Sequence, residues 1–236
     1  MKIKRPLTVA FPSRGWALTL VVLATCGLLG CASPPVPDWQ IAHARASQQG
    51  VAAYLSGLDA VAQIEWARAQ REVRRSANAD AVARTDLMAC AARISALDFV
   101  DCTQAAGLSD ASAATQAYAR FLMGHLHGDD IKRLPDTQSS VFTRTGAAQL
   151  EALSALDQAW SRLVAAGVLW RMGSRDPSVA EIAVDTASQQ GWTRALGAWL
   201  QAQQAVLREA GQHEAAQRVG RRLELLFGQP TRPASP

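Results

Sequence analysis

Residues 58–75 read LDAVAQIEWARAQREVRR, and this stretch decides the fold class. Its apolar residues, among them Leu58, Val61, Ala62 and Trp66, recur at steps of three and four. That spacing places them on one face of an α-helix. The stretch therefore predicts a helix that runs from the first tight turn to about residue 75.

The rest of the chain has the same character. Only two prolines, Pro135 and Pro177, occur between Asp38 and Gln229, and alanine, leucine, glutamine and arginine dominate. These are good helix formers, and the alternating pattern of β-strands is nearly absent. We predict an all-α fold of about eight or nine helices in antiparallel pairs, because the links between them are short.

Some boundaries have local signals. Asp38 is a candidate N-cap for the first helix. Asp176 followed by Pro177 is typical of a helix start, and Gly191 is expected to end that helix. Residues 129–144 show no helical period and contain a proline, so we predict a loop there.

The net charge of +4 comes from the start of the chain. Residues 1–30 hold four of the 24 basic residues and no acid, so the other 206 residues are electrically balanced. Bulk charge therefore gives no support for nucleic acid as a partner. An apolar content of 49% excludes a disordered chain.

Residues 1–30 have the features of a secretory signal peptide. Lys2, Lys4 and Arg5 are followed by an apolar run over residues 17–30. A membrane-spanning helix needs about 20 apolar residues, so this run suits a signal peptide better than a permanent anchor.

The end of this segment, Leu28-Leu29-Gly30-Cys31, resembles the lipobox of bacterial lipoproteins. The resemblance implies cleavage between Gly30 and Cys31 and acylation of Cys31 on its thiol and its new amino group. The residue after Cys31 is Ala32. Lipoproteins that are retained in the inner membrane carry Asp at this position, so the sequence here resembles that of outer-membrane lipoproteins. The resemblance thus implies lipid anchoring at the periplasmic face of the outer membrane, with the inner membrane as the alternative.

The lipobox also sets the domain organisation. Residues 31–37 form a lipidated, proline-rich spacer, which we expect to be extended. Residues 38–228 form the helical domain. Residues 229–236 hold three prolines and form a tail that we expect to be disordered.

Within the helical domain, Gly50, Ala62, Trp66 and Ala69 stand at the spacing of the tetratricopeptide repeat, and the first hairpin resembles that family. A second copy near the end of the chain is partial, and residues 80–175 fit no period. The resemblance implies either a tetratricopeptide-like domain or an irregular helical array.

Two cysteines, Cys90 and Cys102, remain in the helical domain. In an oxidising compartment an even pair favours a structural disulfide. Two free thiols are the alternative. A separation of twelve residues with no histidine nearby does not match a redox or metal motif.

The other candidates for chemistry lack a partner. His125 and His127 stand two residues apart, so a regular helix points them to different sides. His213 is followed four residues later by Gln217 instead of the second zinc-binding histidine. Glu65, Glu72 and Glu151 lack the Glu-Ser setting of lytic transglycosylases. We predict no catalytic residue, no cofactor and no metal site.

Five residues are candidates for a partner surface, namely Arg68, Arg71, Arg75, Trp192 and Trp199. The arginines cluster at one helix end and suit acidic partners or lipid headgroups. Arginine usage by a GC-rich genome is the alternative explanation. The two tryptophans are seven residues apart on one helix face, and mark a groove only if they are exposed.

These observations favour a non-catalytic adaptor or assembly factor that is anchored to the membrane through lipid on Cys31 and binds an envelope protein. The alternative is an envelope hydrolase that acts on peptidoglycan. A concave surface with aromatic residues and no buried carboxylate would favour the adaptor. A deep cleft with a buried glutamate of raised pKa would favour the hydrolase.

Overall fold

Eleven α-helices and two short 3-10 turns make up residues 35–228, which are the residues that the computed structural model describes. The helices are α1 (Asp38–Leu55), α2 (Asp59–Arg74), α3 (Ala79–Ser95), α4 (Ala113–Leu122), α5 (Asp130–Arg133), α6 (Asp136–Phe142), α7 (Gly146–Ser154), α8 (Ala159–Arg171), α9 (Pro177–Gln190), α10 (Thr193–Glu209) and α11 (His213–Phe227). The 3-10 turns are Cys102–Gln104 and Leu108–Asp110. No strand occurs in this range, which confirms the all-α prediction.

The prediction of eight or nine helices was too low, mainly because residues 129–144 are not a loop. They form α5 and α6, and Pro135 occupies the N-cap position of α6. A proline there costs no hydrogen bond, because the first backbone N–H groups of a helix have no partner within it. Short helices of this kind show no apolar period in the sequence.

Two of the predicted boundaries are confirmed and one is wrong. The Asp176 side chain accepts a hydrogen bond from the Ser178 backbone N–H at 2.8 Å, and Gly191 ends α9 in the left-handed conformation. Asp38 is the first helical residue of α1, and Pro37 takes the N-cap position. Asp38 still suits this place, since its charge opposes the positive end of the helix dipole.

The predicted signal peptide, the cleavage site at Gly30 and Cys31, and the tail 229–236 lie outside the described residues. Of the predicted spacer, residues 35–37 are described, and they are exposed and not helical. In the part that the structure covers, no helix has both the length and the hydropathy of a membrane span.

Helix α8 lies at the centre of the fold. Its residues from Leu163 to Trp170 are all buried, so this helix is covered on every side. It contributes to both apolar clusters of the core. The larger cluster contains residues of α1, α9, α10 and α11, and the smaller one contains residues of α3 and α4.

The central contact is a close approach of α8 to α3. A Cβ atom at Gly167 would overlap the carbonyl oxygen of Ile94 and lie 3.0 Å from its carbonyl carbon. Only glycine therefore allows the two backbones to meet at this point.

The first two helices also meet through a glycine. A Cβ atom at Gly50 would lie 2.5 Å from Nε1 of Trp66, so the indole fills the space that a side chain would take. Ala62 and Ala69 are buried on the same side of α2. Leu58 and Val61, which the apolar pattern grouped with these residues, are exposed instead.

Candidate functional site

The two cysteines of the helical domain form a disulfide. Cys90 on α3 is bonded to Cys102 in the first 3-10 turn, with 5.8 Å between the Cα atoms. Both residues belong to the smaller apolar cluster. The bond holds the segment that follows α3 against that helix, as the structural interpretation of the pair predicted.

The tryptophan pair does not form a surface. Trp199 is fully buried, donates a hydrogen bond from Nε1 to the Ser95 carbonyl oxygen at 2.9 Å, and lies edge-on to Trp170. Trp192 is half-buried against the larger cluster. The prediction of Trp199 as a partner contact is therefore wrong. Its face of α10 is the one that packs on the core.

The predicted arginines do lie on the surface. Arg68, Arg71 and Arg75 are exposed and continue a line of exposed side chains that begins with Val61 and Ile64. Their spacing of three and four residues places the first four on one face of α2, and Arg75, the C-cap residue, continues the line. We call these five residues the α2 stripe. Arg75 also forms an ion pair with Glu72 at 3.0 Å.

A cleft with a mainly apolar lining lies between α3, α4, α5 and α8. Its volume is about 460 Å³, within the range of small-molecule pockets. Five residues supply most of its apolar wall, namely Met88, Tyr118, Leu134, Pro135 and Trp160. Two guanidinium groups, Arg84 and Arg133, stand in the same lining. We call this cavity the α4 cleft.

The wall formed by α4 is held in place at its first turn. The Ser112 backbone N–H donates to Asp80 on α3 at 2.9 Å, and Ser112 Oγ accepts from the Thr115 backbone N–H at 3.3 Å. A hydrogen bond from the Thr115 side chain, aided by those of Ser112, lowers the pKa of Asp80. Asp80 is therefore ionised at neutral pH and ties α4 to α3.

The opposite wall depends on an ion pair whose carboxylate is buried and whose guanidinium is partly exposed. Arg120 on α4 donates to both oxygens of Asp130 on α5, at 2.6 and 2.9 Å, and the His127 backbone N–H donates to the same carboxylate at 3.1 Å. The Arg120 guanidinium lowers the pKa of Asp130 to about 2. The pair fixes α5, and with it Arg133, beside the cleft.

This geometry explains the cluster of histidines and aspartates at residues 125–130. Its buried carboxylate, Asp130, binds Arg120 and the backbone, and His127 is largely exposed. Within residues 35–228, no group of three or more His, Cys, Asp or Glu side chains is arranged to hold a metal ion.

The lining of the α4 cleft combines an apolar wall with two guanidinium groups, which suits an apolar group that carries negative charge. None of its lining residues is acidic. Burial raises the pKa of Tyr118, so its hydroxyl is a hydrogen-bond donor at neutral pH. Arg84 is 3.4 Å from Asp80, which offsets part of its charge, whereas Arg133 is exposed and unpaired among the described residues.

The glutamates considered as catalytic candidates lie elsewhere. Glu72 is paired with Arg75, and Glu151 is exposed on α7. Glu65 is half-buried on α2, and its Oε2 has no hydrogen-bond partner in the described residues. His213, Glu214 and Gln217 are exposed on α11. None of these side chains lines the α4 cleft.

Sequence reasoning missed the residues that build the cleft. Arg133 and Leu134 fall in the segment predicted as a loop, and no pattern in the sequence singled out Tyr118 or Trp160. The useful signal was the pair of aromatic residues in helices on either side of that segment. Comparisons with models of known protein families, with curated proteins and with solved structures found no match.

Proposed function

We propose that this chain is a lipid-anchored adaptor of the bacterial envelope. Acylated Cys31 holds it at the periplasmic face of the outer membrane, and the helical domain binds an envelope protein without catalysing a reaction. The lipobox residues Leu28 to Cys31 support the anchor. The α4 cleft supports recognition, and its composition is the observation that carries the proposal.

The lining of the cleft indicates the kind of segment that binds. Apolar walls with two aromatic side chains take up one or two large apolar residues of a partner. Arg133 and Arg84 pair with an acidic residue beside them, because an arginine fork matches a carboxylate. A hydrolase of peptidoglycan would instead place a carboxylic acid in its cleft.

The helical arrangement proposed here is tetratricopeptide-like at its two ends. The contact of Gly50 with Trp66 supports this in α1 and α2, where the chain turns back within three residues. In α10 and α11, Gly197 approaches Phe227 in a similar way, with 3.0 Å from a Cβ atom to the ring. Helices paired through small residues and aromatics are typical of such hairpins, and the middle of the domain is irregular.

The test combines localisation with crosslinking in cells. Cys31→Ala is expected to release the protein from the outer-membrane fraction. A photo-crosslinking residue in place of Met88, in the wall of the cleft, is expected to capture one envelope protein repeatedly. Arg133→Glu is expected to abolish that crosslink, because it places a carboxylate where the partner's acid binds.

Arg218→Glu is the matched control, since Arg218 is exposed on α11 and is in no ion pair among the described residues. It changes the net charge equally and leaves the cleft intact. A crosslink that survives Arg133→Glu would contradict the role of the cleft. Membrane association without Cys31 would contradict the anchor, and release of peptidoglycan fragments by the purified protein would contradict the non-catalytic assignment.

A further inference from the structure

The α2 stripe exposes apolar and basic side chains on one helix face. The side chain of Ile64 is 65% exposed and that of Val61 is 46% exposed, so two neighbouring aliphatic side chains on this face contact solvent. Toward the end of the helix the stripe continues with three exposed arginines. None of its five residues is acidic, and Arg75 is paired with Glu72. Two guanidinium groups, Arg68 and Arg71, therefore have no partner among the described residues.

The basic end of the stripe lies beside the start of α1. His43 in α1 bonds the Thr85 hydroxyl of α3 at 2.9 Å, and Gln70 in α2 donates to the adjacent Asp86. The first turns of α1 and the last turns of α2 thus contact the same turn of α3. Arg71 is one residue beyond Gln70, so the arginines stand where the chain enters the domain.

The proposed lipid attachment lies a short distance along the chain. Five residues lie between Cys31 and Pro37, and a chain of six Cα–Cα steps reaches at most roughly 20 Å. The α2 stripe spans the 15 residues from Val61 to Arg75, whose ends are about 21 Å apart along the helix. The whole stripe can therefore contact the same membrane that holds the lipid.

We propose that the α2 stripe is a membrane-binding face, on which Val61 and Ile64 enter the interface and Arg68 and Arg71 bind anionic phospholipid headgroups. This inference rests on the proposed anchor at Cys31. Helices that lie in an interface combine exposed apolar residues with basic ones in this way. The lipid on Cys31 supplies most of the affinity, and the stripe fixes which side of the domain faces the bilayer.

The test measures which face touches lipid in the full, acylated chain. A polarity-sensitive fluorophore is attached at Ile64→Cys, or at Leu225→Cys on α11 as the control, where the replaced side chain is 85% exposed. Each protein is bound to vesicles of phosphatidylcholine alone or with three parts in ten of phosphatidylglycerol. The fluorescence emission of the probe at position 64 is expected to shift to shorter wavelength on anionic vesicles. The emission of the probe at position 225 is expected to stay unchanged.

Neutralising arginines in pairs distinguishes binding of lipid by this face from a general attraction between a basic protein surface and anionic lipid. Arg68→Gln with Arg71→Gln is expected to weaken the lipid contact of the stripe by about fivefold for each arginine. The control is Arg218→Gln with Arg221→Gln, an exposed pair with the same spacing on α11. It is expected to leave the Ile64 probe unchanged.

The outcomes separate the two proposals. Failure of the wild-type chain to float with any vesicle would overturn the anchor and this inference together. Flotation with an Ile64 probe that behaves as the Leu225 probe would overturn the membrane-binding face alone.

Discussion

The close approach of α8 to α3 gives the sharpest prediction about stability, because one methyl group tests it. Gly167→Ala adds a Cβ atom that would stand 3.0 Å from the carbonyl carbon of Ile94 and closer still to its oxygen. Ordinary contact begins at 3.4 Å, so α8 must retreat by about 0.4 Å for the carbon alone. Both partners are backbone, so no side-chain rotation relieves the overlap.

Two opposing effects set the size of the change. Replacing a glycine inside a helix by alanine stabilises it by about 1 kcal/mol. Overpacking a core costs about 1–3 kcal/mol, and the upper part of that range applies because α8 carries buried side chains on every side. The net expectation is a loss of about 1–2 kcal/mol, or a fall in Tm of roughly 2–8 °C for a domain of this size.

Gly220→Ala in α11 is the matched control. Its Cβ atom would meet the end of the Gln204 side chain at 2.7 Å, and that amide can rotate away. The amide then loses its hydrogen bond to the Ala216 carbonyl, which offsets the gain in helix propensity. This variant is therefore expected to stay within about 1 kcal/mol of wild type.

Urea denaturation followed by circular dichroism at neutral pH measures both variants. Gly167→Ala is expected to unfold at a lower urea concentration than Gly220→Ala. The dependence of the unfolding free energy on urea concentration, the m-value, is expected to stay the same. A Gly167→Ala protein as stable as the wild type would refute the reasoning, since the backbones of α3 and α8 could not then be as close as described.

Two further predictions concern the disulfide and the ion pair of Asp130 with Arg120. Replacing Cys90 and Cys102 by serine is expected to lower the free energy of unfolding by about 3 kcal/mol; reductant should lower the urea midpoint of the wild type and leave that of the double variant unchanged. The pair of Asp130 with Arg120 is expected to stabilise the fold above about pH 4, because the folded pKa of Asp130 is about 2 against 3.8 for the free group. That contribution is lost as the pH falls from about 4 toward 2, so the difference in urea midpoint between wild type and Asp130→Asn should close over this interval. A difference that stays constant down to pH 2 would contradict the ion pair.

The elements that the sequence predicted correctly share a local cause. The Asp176-Pro177 start and the Gly191 end depend on the backbone preferences of single residues. The apposition of Gly50 and Trp66 follows from residue size at a fixed spacing. Such features lie within one helix or one hairpin, so they can be predicted from the local sequence without information about distant contacts.

The features that the sequence did not predict depend on distant contacts. Trp199 and Trp192 share a helix face, but only the position of α3 and α8 decides that this face is buried. Helix α5 is four residues long and is held by the bond of Asp130 to Arg120. No periodicity marks a helix of one turn, and so the cleft that α5 completes was not visible.

The α2 stripe and the α4 cleft share no residue, and this makes their roles separable. The stripe lies on α2 and its C-cap residue, and the cleft is built by α3, α4, α5 and α8. Arg68→Gln with Arg71→Gln is therefore expected to loosen the orientation on the membrane while the crosslink at Met88 persists. Arg133→Glu is expected to do the reverse. If either change removed both properties, the two surfaces would act as one site, and the division of anchoring from recognition would fail.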